Sequence, residues 1–403
     1  MKKQIYIYPI KSLMSHGETI GEDSLKLLNE LKNRLPQYQF NFYKEDEKID
    51  SNKFNLILVQ SGGSEAIFKN KIYKEYAGPY YLLTYGSCNS LAASLEILTY
   101  LKDNNEKGEV LHGDIEYISK RIDFLFDDKK EETNIRLGIL GKPSDWLISS
   151  DVDKNKCKKI FGIDLIDIDQ DEVIDSIKSI DEDKIKEASS YKYDQKEIKK
   201  ALKIYKGIEK IIKEHNLDGF TIRCFDILTA IKSSACLGLA LFNKDDIVAS
   251  CEGDVPAMLT AQVIKNKLGL HAFQANPQWI NPVDNTIEFA HCTLPLDMAT
   301  SYCLDTHFES GIGVGIHGEL KKGPVTIIKI DSSLSQYYVE EGELIENEYR
   351  KDRCRTQIKI KLDTPVTYFL KSSLGNHHQI IYGRHASIFS EYLESFGLRR
   401  VRE

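Results

Sequence analysis

The first half of the chain repeats one pattern, in which an apolar strand is followed by a short polar turn and an amphipathic helix. Phe54–Val59 precedes the turn Gln60–Ser64, and Tyr80–Tyr85 precedes a second polar turn and a helix from Ser90. A further series of this kind starts at Arg136–Gly141. Because parallel strands need a crossover connection, which is usually a helix, this alternation predicts open parallel sheets of the Rossmann or flavodoxin-like type.

The composition changes after the middle of the chain. Val325–Ile330, Gln357–Leu362 and Val366–Leu370 are short β-branched runs with alternating character, separated by turns. They predict an antiparallel sheet or a small barrel. At 403 residues the chain exceeds the size at which a single core stops growing. We therefore expect three domains, namely an α/β domain at 1–133, a second α/β domain at 134–270 and a β-rich domain at 271–403.

Charge and composition exclude several classes of protein. The formal charge of −7, from 61 acidic and 54 basic residues, argues against binding to nucleic acid or to an anionic membrane. Ile5–Tyr8 near the N-terminus is typical of a strand rather than of a signal peptide, and no apolar run approaches the roughly 18 residues of a membrane span. The eight cysteines include no Cys-x-x-Cys pair. We expect reduced thiols and a cytoplasmic protein that acts on a small molecule.

The stretch Ser250–Pro256 carries two carboxylates close together. Glu252 and Asp254 follow the apolar run Leu237–Phe242 and the pair Ile247-Val248, as expected of a strand that leaves the core and ends in Glu-Gly-Asp. Ligands of open α/β sheets bind beyond the ends of the strands. Asp226 closes the preceding strand that we predict at 218–226, and neighbouring strands would bring it beside Glu252.

Histidines are concentrated in the last third, where seven of the ten occur from His271 onward. Carboxylates and imidazoles without paired cysteines suit Mn²⁺, Mg²⁺ or Co²⁺. Such a metal holds a sugar hydroxyl and the neighbouring carbonyl, while a carboxylate moves a proton between C1 and C2 through an enediol. This chemistry is aldose–ketose isomerisation. Residue spacing alone does not separate it from epimerisation, retro-aldol cleavage or hydrolysis.

Five short motifs in this order resemble the L-fucose isomerase-like proteins of the L-fucose and L-arabinose isomerase superfamily. The motifs cover about residues 220 to 380 and are Cys251-Glu-Gly-Asp254, Phe273-Gln-Ala-Asn-Pro277, Ala290-His-Cys292, Thr306-His-Phe-Glu-Ser-Gly-Ile-Gly-Val-Gly315 and Gly375-Asn-His-His378. The resemblance implies two Rossmann-like domains, a β-rich C-terminal domain and a Mn²⁺ site where the last two meet. It also implies a sugar substrate and homo-oligomers whose active site a neighbouring subunit completes.

The resemblance also implies the metal ligands. The first metal carboxylate of the family falls on Glu252, and its second acid falls on Asn276. A metal-binding histidine falls on His377 or His378, and the motif does not decide between them. The arabinose branch uses a further histidine, for which the nearest match is His291.

Asn276 departs from the pattern of the family. An amide offers a metal a neutral oxygen but takes no proton at any working pH. If the chain is an isomerase, its catalytic base has to be another acid, and Glu252, Asp254 and Asp226 are the available ones. Asp254 or Asp226 would also have to replace the missing anionic ligand.

Substrate contacts are expected from four residues of the motifs. His307 and Glu309 precede glycines at alternate positions, which are typical of a closely packed strand, and on a strand both side chains would point the same way. His291 and Asn376 complete this set. The hypothesis is a Mn²⁺-dependent sugar isomerase. The alternatives are a sugar-binding or regulatory homologue without catalysis and a related metal-dependent epimerase or lyase.

Overall fold

The computed structural model describes residues 2–12, 20–44, 47–127, 134–185 and 192–402. The chain divides into two compact units, Met1–Glu131 and Glu132–Glu403. Among the described residues, no helix combines the length and the apolar character that a bilayer span requires.

The first unit is built on a five-stranded parallel sheet with the strand order β2-β1-β3-β4-β5. The central strand β3 is buried at every position, as expected of a parallel sheet with both faces covered. The strands are β1 Lys3–Ile10, β2 Tyr38–Phe42, β3 Phe54–Val59, β4 Tyr80–Leu83 and β5 Gly108–Leu111, and the helices are α1 Glu22–Arg34, α2 Glu65–Ile67, α3 Tyr73–Glu75, α4 Ser90–Asp103 and α5 Ile115–Asp127.

The second unit starts with a four-stranded parallel sheet in the order β7-β6-β8-β9. The long amphipathic helix α8 buries one face, with isoleucines at three-to-four spacing. The strands are β6 Ile135–Leu140, β7 Ile163–Ile168, β8 Gly219–Ile222 and β9 Val248–Cys251, and the helices are α6 Lys154–Phe161, α7 Gln170–Ser179, α8 Gln195–His215, α9 Cys224–Ile231, α10 Cys236–Lys244 and α11 Val255–Leu268.

The remainder of this unit is a β-barrel. Strands β14-β17-β10-β11-β16-β15 pair antiparallel in that order, and the pairing of β14 with β15 closes the ring. The prediction of α/β parts followed by a β-rich, barrel-like part is confirmed. The elements are β10 Phe273–Asn281, β11 Thr286–His291, β12 Ala299–Asp305, β13 Gly315–Leu320, β14 Gly323–Ile330, β15 Gln336–Glu348, β16 Thr356–Leu362, α12 Tyr368–Lys371, β17 His378–Tyr382, α13 Ala386–Ser395 and β18 Arg399–Arg400.

Helix α11 joins the parallel sheet to the barrel. Its first ten residues, 255–264, are all buried, as expected of a helix that is packed on every side. Met258 and Leu259 share one apolar core with Leu137 of β6 and with Ile328 and Ile330 of β14. Because α11 begins directly after the Glu252-Gly253-Asp254 turn, this turn lies where the sheet meets the barrel.

Three sequence-based assignments of secondary structure were wrong. The strand predicted at 218–226 ends at Ile222, and helix α9 begins at Cys224, so Asp226 lies on a helix. The run Val366–Leu370 contains the short helix α12 instead of a strand. The apolar run Leu237–Phe242 belongs to α10, and only β9 forms the strand before Glu252. The cause is common to all three, because a short apolar run fits a buried helix as well as a buried strand.

Helices α7 and α8 approach so closely that only glycine fits between them. A Cβ atom added at Gly207 of α8 would lie 2.5 Å from the Cα of Ile177. We therefore expect Gly207→Ala to destabilise the fold by about 1–3 kcal/mol. Gly238→Ala on α10 is the matched control, since its Cβ would meet Tyr205 at an ordinary 3.5 Å. In urea unfolding, the free energy of unfolding of the control should be unchanged or higher by up to about 1 kcal/mol. An equal loss of this free energy in both variants would contradict the close approach of the two helices.

Candidate metal centre

Glu252, His291 and His377 form a cluster in the second unit. Their ligand atoms all lie within 4.8 Å of one another. The Oε1 atom of Glu252 is 3.5 Å from Nε2 of His377 and 4.0 Å from Nε2 of His291. Glu252 follows β9, His291 ends β11 and His377 directly precedes β17. One ligand therefore comes from the parallel sheet and two come from the barrel.

The backbone at Glu252 is held in an unusual conformation. Both Glu252 and Gly253 have left-handed φ values, of +63° and +71°. A Cβ at position 253 would lie 2.6 Å from the carbonyl oxygen of Lys142, so only glycine fits here. The loop after β6 also donates the Ser144 amide to the Glu252 carbonyl at 3.0 Å and the Trp146 indole N–H to Oε2 at 2.9 Å. These contacts fix the direction of the Glu252 carboxylate.

Asp254 connects helix α11 to the cluster. Its Oδ1 atom accepts the amide of Ala257 at 2.8 Å and so caps the helix. Its Oδ2 atom accepts Nδ1–H of His377 at 2.9 Å and lies 3.6 Å from the ammonium of Lys329. The bond to Asp254 keeps a proton on Nδ1 of His377, and the Nε2 atom therefore faces Glu252 as the nitrogen that is available to a cation.

Three buried polar atoms at or next to the cluster have no hydrogen-bond partner in the described part of the chain. They are Nε2 of His291, Nε2 of His377 and Oδ1 of Asn276. Asn276 lies on β10 opposite Ala290, the residue before His291. Buried polar atoms are nearly always paired, so the two unpaired imidazole nitrogens, which lie within 4.8 Å of each other and of the Glu252 carboxylate, indicate a missing ligand. One carboxylate, two imidazoles and an amide oxygen form a donor set that suits a divalent cation.

Charges within the cluster control its protonation. Burial alone would raise the pKa of Glu252, but the imidazolium of His377 and further hydrogen bonds lower it to about 2. Burial opposes protonation of His377, yet Glu252 and Asp254 raise its pKa to about 9. Burial, together with the charge of His377, lowers the pKa of His291 to about 3. In the metal-free protein His377 is therefore a cation paired with Glu252, while His291 is neutral.

His291 is held differently from His377. Its Nδ1 atom accepts the amide N–H of Thr293 at 3.3 Å, so that the neutral ring carries its proton on Nε2. In this form the Nε2–H group is available to donate a hydrogen bond to a bound molecule, which suits the substrate contact that the sequence predicts. With the proton on Nδ1 the same ring would serve as a third metal ligand, at the cost of the bond to Thr293.

His378 points away from the cluster. Its Nδ1 donates to the carbonyl oxygen of Asn376 at 2.9 Å, and its Nε2 pairs with the hydroxyl of Tyr368 at 3.1 Å. The ring lies among aromatic side chains, including Phe369 at a centroid distance of 5.0 Å. The side chain of Asn376, predicted as a substrate contact, is exposed. Of the two histidines that the motif left open, the structure brings His377 to Glu252.

Asp226 belongs to a separate charged network at the start of α9. Its carboxylate accepts from Nε of Arg223 at 2.8 Å, and the same guanidinium binds Asp145 at 2.7 Å and the carbonyl oxygen of Pro143 at 2.7 Å. Sequential strands β8 and β9 are indeed neighbours. Because the strand ends at Ile222, Asp226 is carried onto the helix, where Arg223 neutralises it.

His307 and Glu309 lie in a loop between β12 and β13 rather than on a strand. The glycines at 311 and 313 have left-handed φ values of +65° and +68°, which a strand does not allow. The His307 ring contacts Phe225 edge to face at 5.7 Å, and Phe225 packs against Trp146 at 4.7 Å. The predicted pairing of both side chains on one strand face was therefore wrong.

Sequence reasoning missed Lys329 and the role of Trp146. Lys329 is only 2% exposed and is the charged residue in the otherwise apolar run of β14. A lone lysine in such a run was the available signal, because a buried ammonium requires an anionic partner. Trp146 stands in a polar turn, and nothing in its local sequence indicates that its indole reaches Glu252.

Comparison with known proteins gives three distant relatives and no match to a family model. A sulfoquinovose isomerase of Clostridium sp. strain MSTE9 is 29% identical over 124 residues, which are 30% of this chain and 26% of the relative. Sulfoquinovose isomerases of Priestia aryabhattai and Priestia megaterium are each 20% identical over 272 residues, 63% of this chain and 61% of the relatives. The matched region thus spans less than two thirds of each relative.

Adjacent histidines allow a matched test of the cluster. We expect His377→Gln to weaken Mn²⁺ binding by more than about a hundredfold, because it removes a ligand and the partner of Asp254. His378→Gln should keep Mn²⁺ affinity within about threefold, since both ring nitrogens bond elsewhere. Titration calorimetry of chelator-stripped protein measures both, with thermal unfolding as the check that each variant is folded. Equal weakening by both substitutions would contradict the assignment.

Metal binding should release a proton. The metal needs the lone pair on Nε2 of His377, whereas a pKa of about 9 keeps that ring protonated in the metal-free protein. The apparent affinity should therefore rise about tenfold per pH unit up to about pH 9 and then level off. Calorimetry in buffers of different ionisation enthalpy counts the proton. An affinity that does not change over this range would refute the ion pair.

Proposed function

We propose that this chain is a metal-dependent aldose–ketose isomerase that acts on a monosaccharide through an enediol. The observation that carries the proposal is the cluster of Glu252, His291 and His377, whose ligand atoms lie within 4.8 Å of one another and whose two Nε2 atoms have no hydrogen-bond partner among the described residues. The naming of all three relatives as sulfoquinovose isomerases supports the reaction class. Epimerisation or cleavage through the same enediol, and sugar binding without catalysis, are the alternatives that the experiment below separates.

Glu252 and His377 would hold the metal, with Asn276 and one tautomer of His291 completing the donor set. Mn²⁺ is the best candidate because the donors are oxygen and nitrogen atoms without a thiolate. When bound, such a metal polarises a substrate carbonyl as a Lewis acid. Trp146 orients Glu252 through its indole N–H.

Asp254 acts as a positioning residue in this proposal. Its two oxygens already serve the α11 cap, His377 and Lys329, and the residue is only 1% exposed. The charge of Lys329 and the hydrogen bond from His377 outweigh the effect of burial and hold the pKa of its carboxyl well below the usual range. A carboxylate this buried and this strongly paired is poorly placed to exchange protons with a sugar.

Sulfoquinovose, a hexose with a sulfonate at C6, is the first substrate to test because of the names of the relatives. L-fucose and L-arabinose are the next substrates to test, because the motifs resemble those of the isomerases of these sugars. The positions of a few loop residues decide between sugars of different stereochemistry, so a panel of aldoses is needed.

We also propose that the protein forms homo-oligomers with the site near an interface and acts in the cytoplasm. Two apolar side chains of the β10–β11 hairpin offer a contact surface. Trp279 lies on β10 and is 59% exposed, and Val283 lies in the turn that follows and is 92% exposed. All eight cysteines are free thiols, which suits a reducing compartment. Analytical ultracentrifugation tests the first of these proposals.

Activity should depend on the metal and on Glu252. Chelator-stripped protein given Mn²⁺ should convert at least one aldose of the panel to its ketose, with deuterium from D₂O entering at one carbon. Glu252→Gln should lower kcat at least about a hundredfold, because a ligand charge is lost. Glu346→Gln, an exposed acid on β15, is the control and should match the wild type.

Each other result points to a different function. Sugar binding without any exchange would favour the non-catalytic alternative, and an epimer or a cleaved product would favour the third one. Activity of Glu252→Gln equal to that of the wild type would overturn the role of the cluster.

A further inference from the structure

Aldose–ketose isomerisation needs a group that carries a proton between two carbons, and the cluster itself lacks one. Asn276 is an amide and takes no proton. Glu252 would be a metal ligand, and its Oε2 atom already accepts the indole N–H of Trp146 at 2.9 Å. Asp254 is buried and fully paired, and Asp226 is bound to Arg223. The three acids that the sequence offered are therefore all engaged in other roles.

The loop 306–314 brings another acid toward the cluster. Its far end is fixed to the start of α10, where Ser234 Oγ accepts the amide of Val314 at 2.8 Å and donates to the Val314 carbonyl at 2.6 Å. Its near end is fixed by Arg355, whose Nε donates to the Thr306 carbonyl at 2.8 Å. A Cβ at Gly313 would lie 2.5 Å from the Ser234 amide, which shows how closely the loop packs.

The fixed loop faces the cluster. His307 contacts Phe225, which packs on the Trp146 ring that binds Glu252. The loop turns back on itself through the bond of the Gly311 amide to the His307 carbonyl at 2.9 Å. Glu309 stands at the tip of this turn, and the charge of Glu252 acts on both His307 and Glu309.

Glu309 is the acid of this region that is free to act. Within the described residues its carboxylate has no hydrogen bond and no cationic partner, and its side chain is exposed. Partial burial, and then the charge of Glu252, raise its pKa above the ordinary value. A carboxyl group that has no partner and is reachable from solvent is free to take up and release a proton, as a general base must.

We propose, on the premise of the isomerase function, that Glu309 is the catalytic residue that transfers the proton between C2 and C1 of the sugar. The carboxylate removes the proton from C2 of the open-chain aldose, the C2–H electron pair forms the C1–C2 double bond of the enediol, and the π pair of the C1 carbonyl moves onto O1. Glu309 then returns the proton to C1, while the proton of the C2 hydroxyl passes to O1. The product is the ketose, and Glu309 is regenerated as a carboxylate.

The test compares Glu309→Gln with Glu319→Gln in the full-length Mn²⁺-loaded protein. Glu319 is an exposed acid on β13 of the same hairpin, where it accepts a hydrogen bond from Ser301. We expect Glu309→Gln to lower kcat by about 10²–10⁴-fold and to abolish deuterium entry from D₂O. Mn²⁺ affinity should stay within about threefold, because the residue is no ligand. Glu309→Asp should recover part of kcat, and Glu319→Gln should equal the wild type.

Failure of this inference differs from failure of the function itself. If the wild type is active and Glu309→Gln keeps kcat within about threefold, Glu309 is no proton carrier although the isomerase stands. If Glu309→Gln loses kcat together with Mn²⁺ affinity, the loop has a structural role and the inference is overturned. If the wild type yields neither ketose nor solvent exchange with any aldose, the proposed function and this inference fail together.

Discussion

The carboxylate of Asp254 is the interaction on which the second unit depends. One oxygen caps the N-terminus of helix α11, and the other contacts His377 and Lys329. Because His377 directly precedes β17 and Lys329 lies on β14, this one side chain links the end of the parallel sheet to two places in the barrel. All three partners are buried with it. Removing one member of such a group leaves an uncompensated charge, which costs several kcal/mol. The same contacts that hold the layers together thus set the direction of a ring nitrogen in the cluster.

Much of the fold could be predicted because its signals are local. Apolar runs followed by polar turns and helices identify parallel sheets, and the three-to-four spacing in 195–215 matches helix α8. The closure of the barrel could not be read in this way, because it requires pairings between strands that are distant in sequence, such as β10 with β17 and β11 with β16. The errors at Asp226 and at 366–370 share a cause. Short runs carry too few residues to separate a period of 2 from one of 3.6.

Motif order pointed to Glu252 and to a pair of histidines, but the choice within that pair needed the fold. Successive residues at a strand start project to opposite sides, and nothing in the letters His-His tells which side the cluster occupies. Lys329 and Trp146 were missed because their roles depend on contacts with positions far away in the chain. Glu309 was found by its motif, yet its freedom from partners is a property of the folded loop.

The two histidines at the start of β17 also constrain how that strand folds. His378 sits in an aromatic shell as a neutral ring with a pKa of about 3, whereas His377 carries a charge among carboxylates. A slip of β17 by one residue would move His377 into the aromatic site, placing a cation among Tyr338, Tyr368 and Phe369, and would put Asn376 in the place of His377 beside two anions. Both changes would destabilise the folded state. The two different environments of His377 and His378 therefore favour the observed register of β17 over its neighbours.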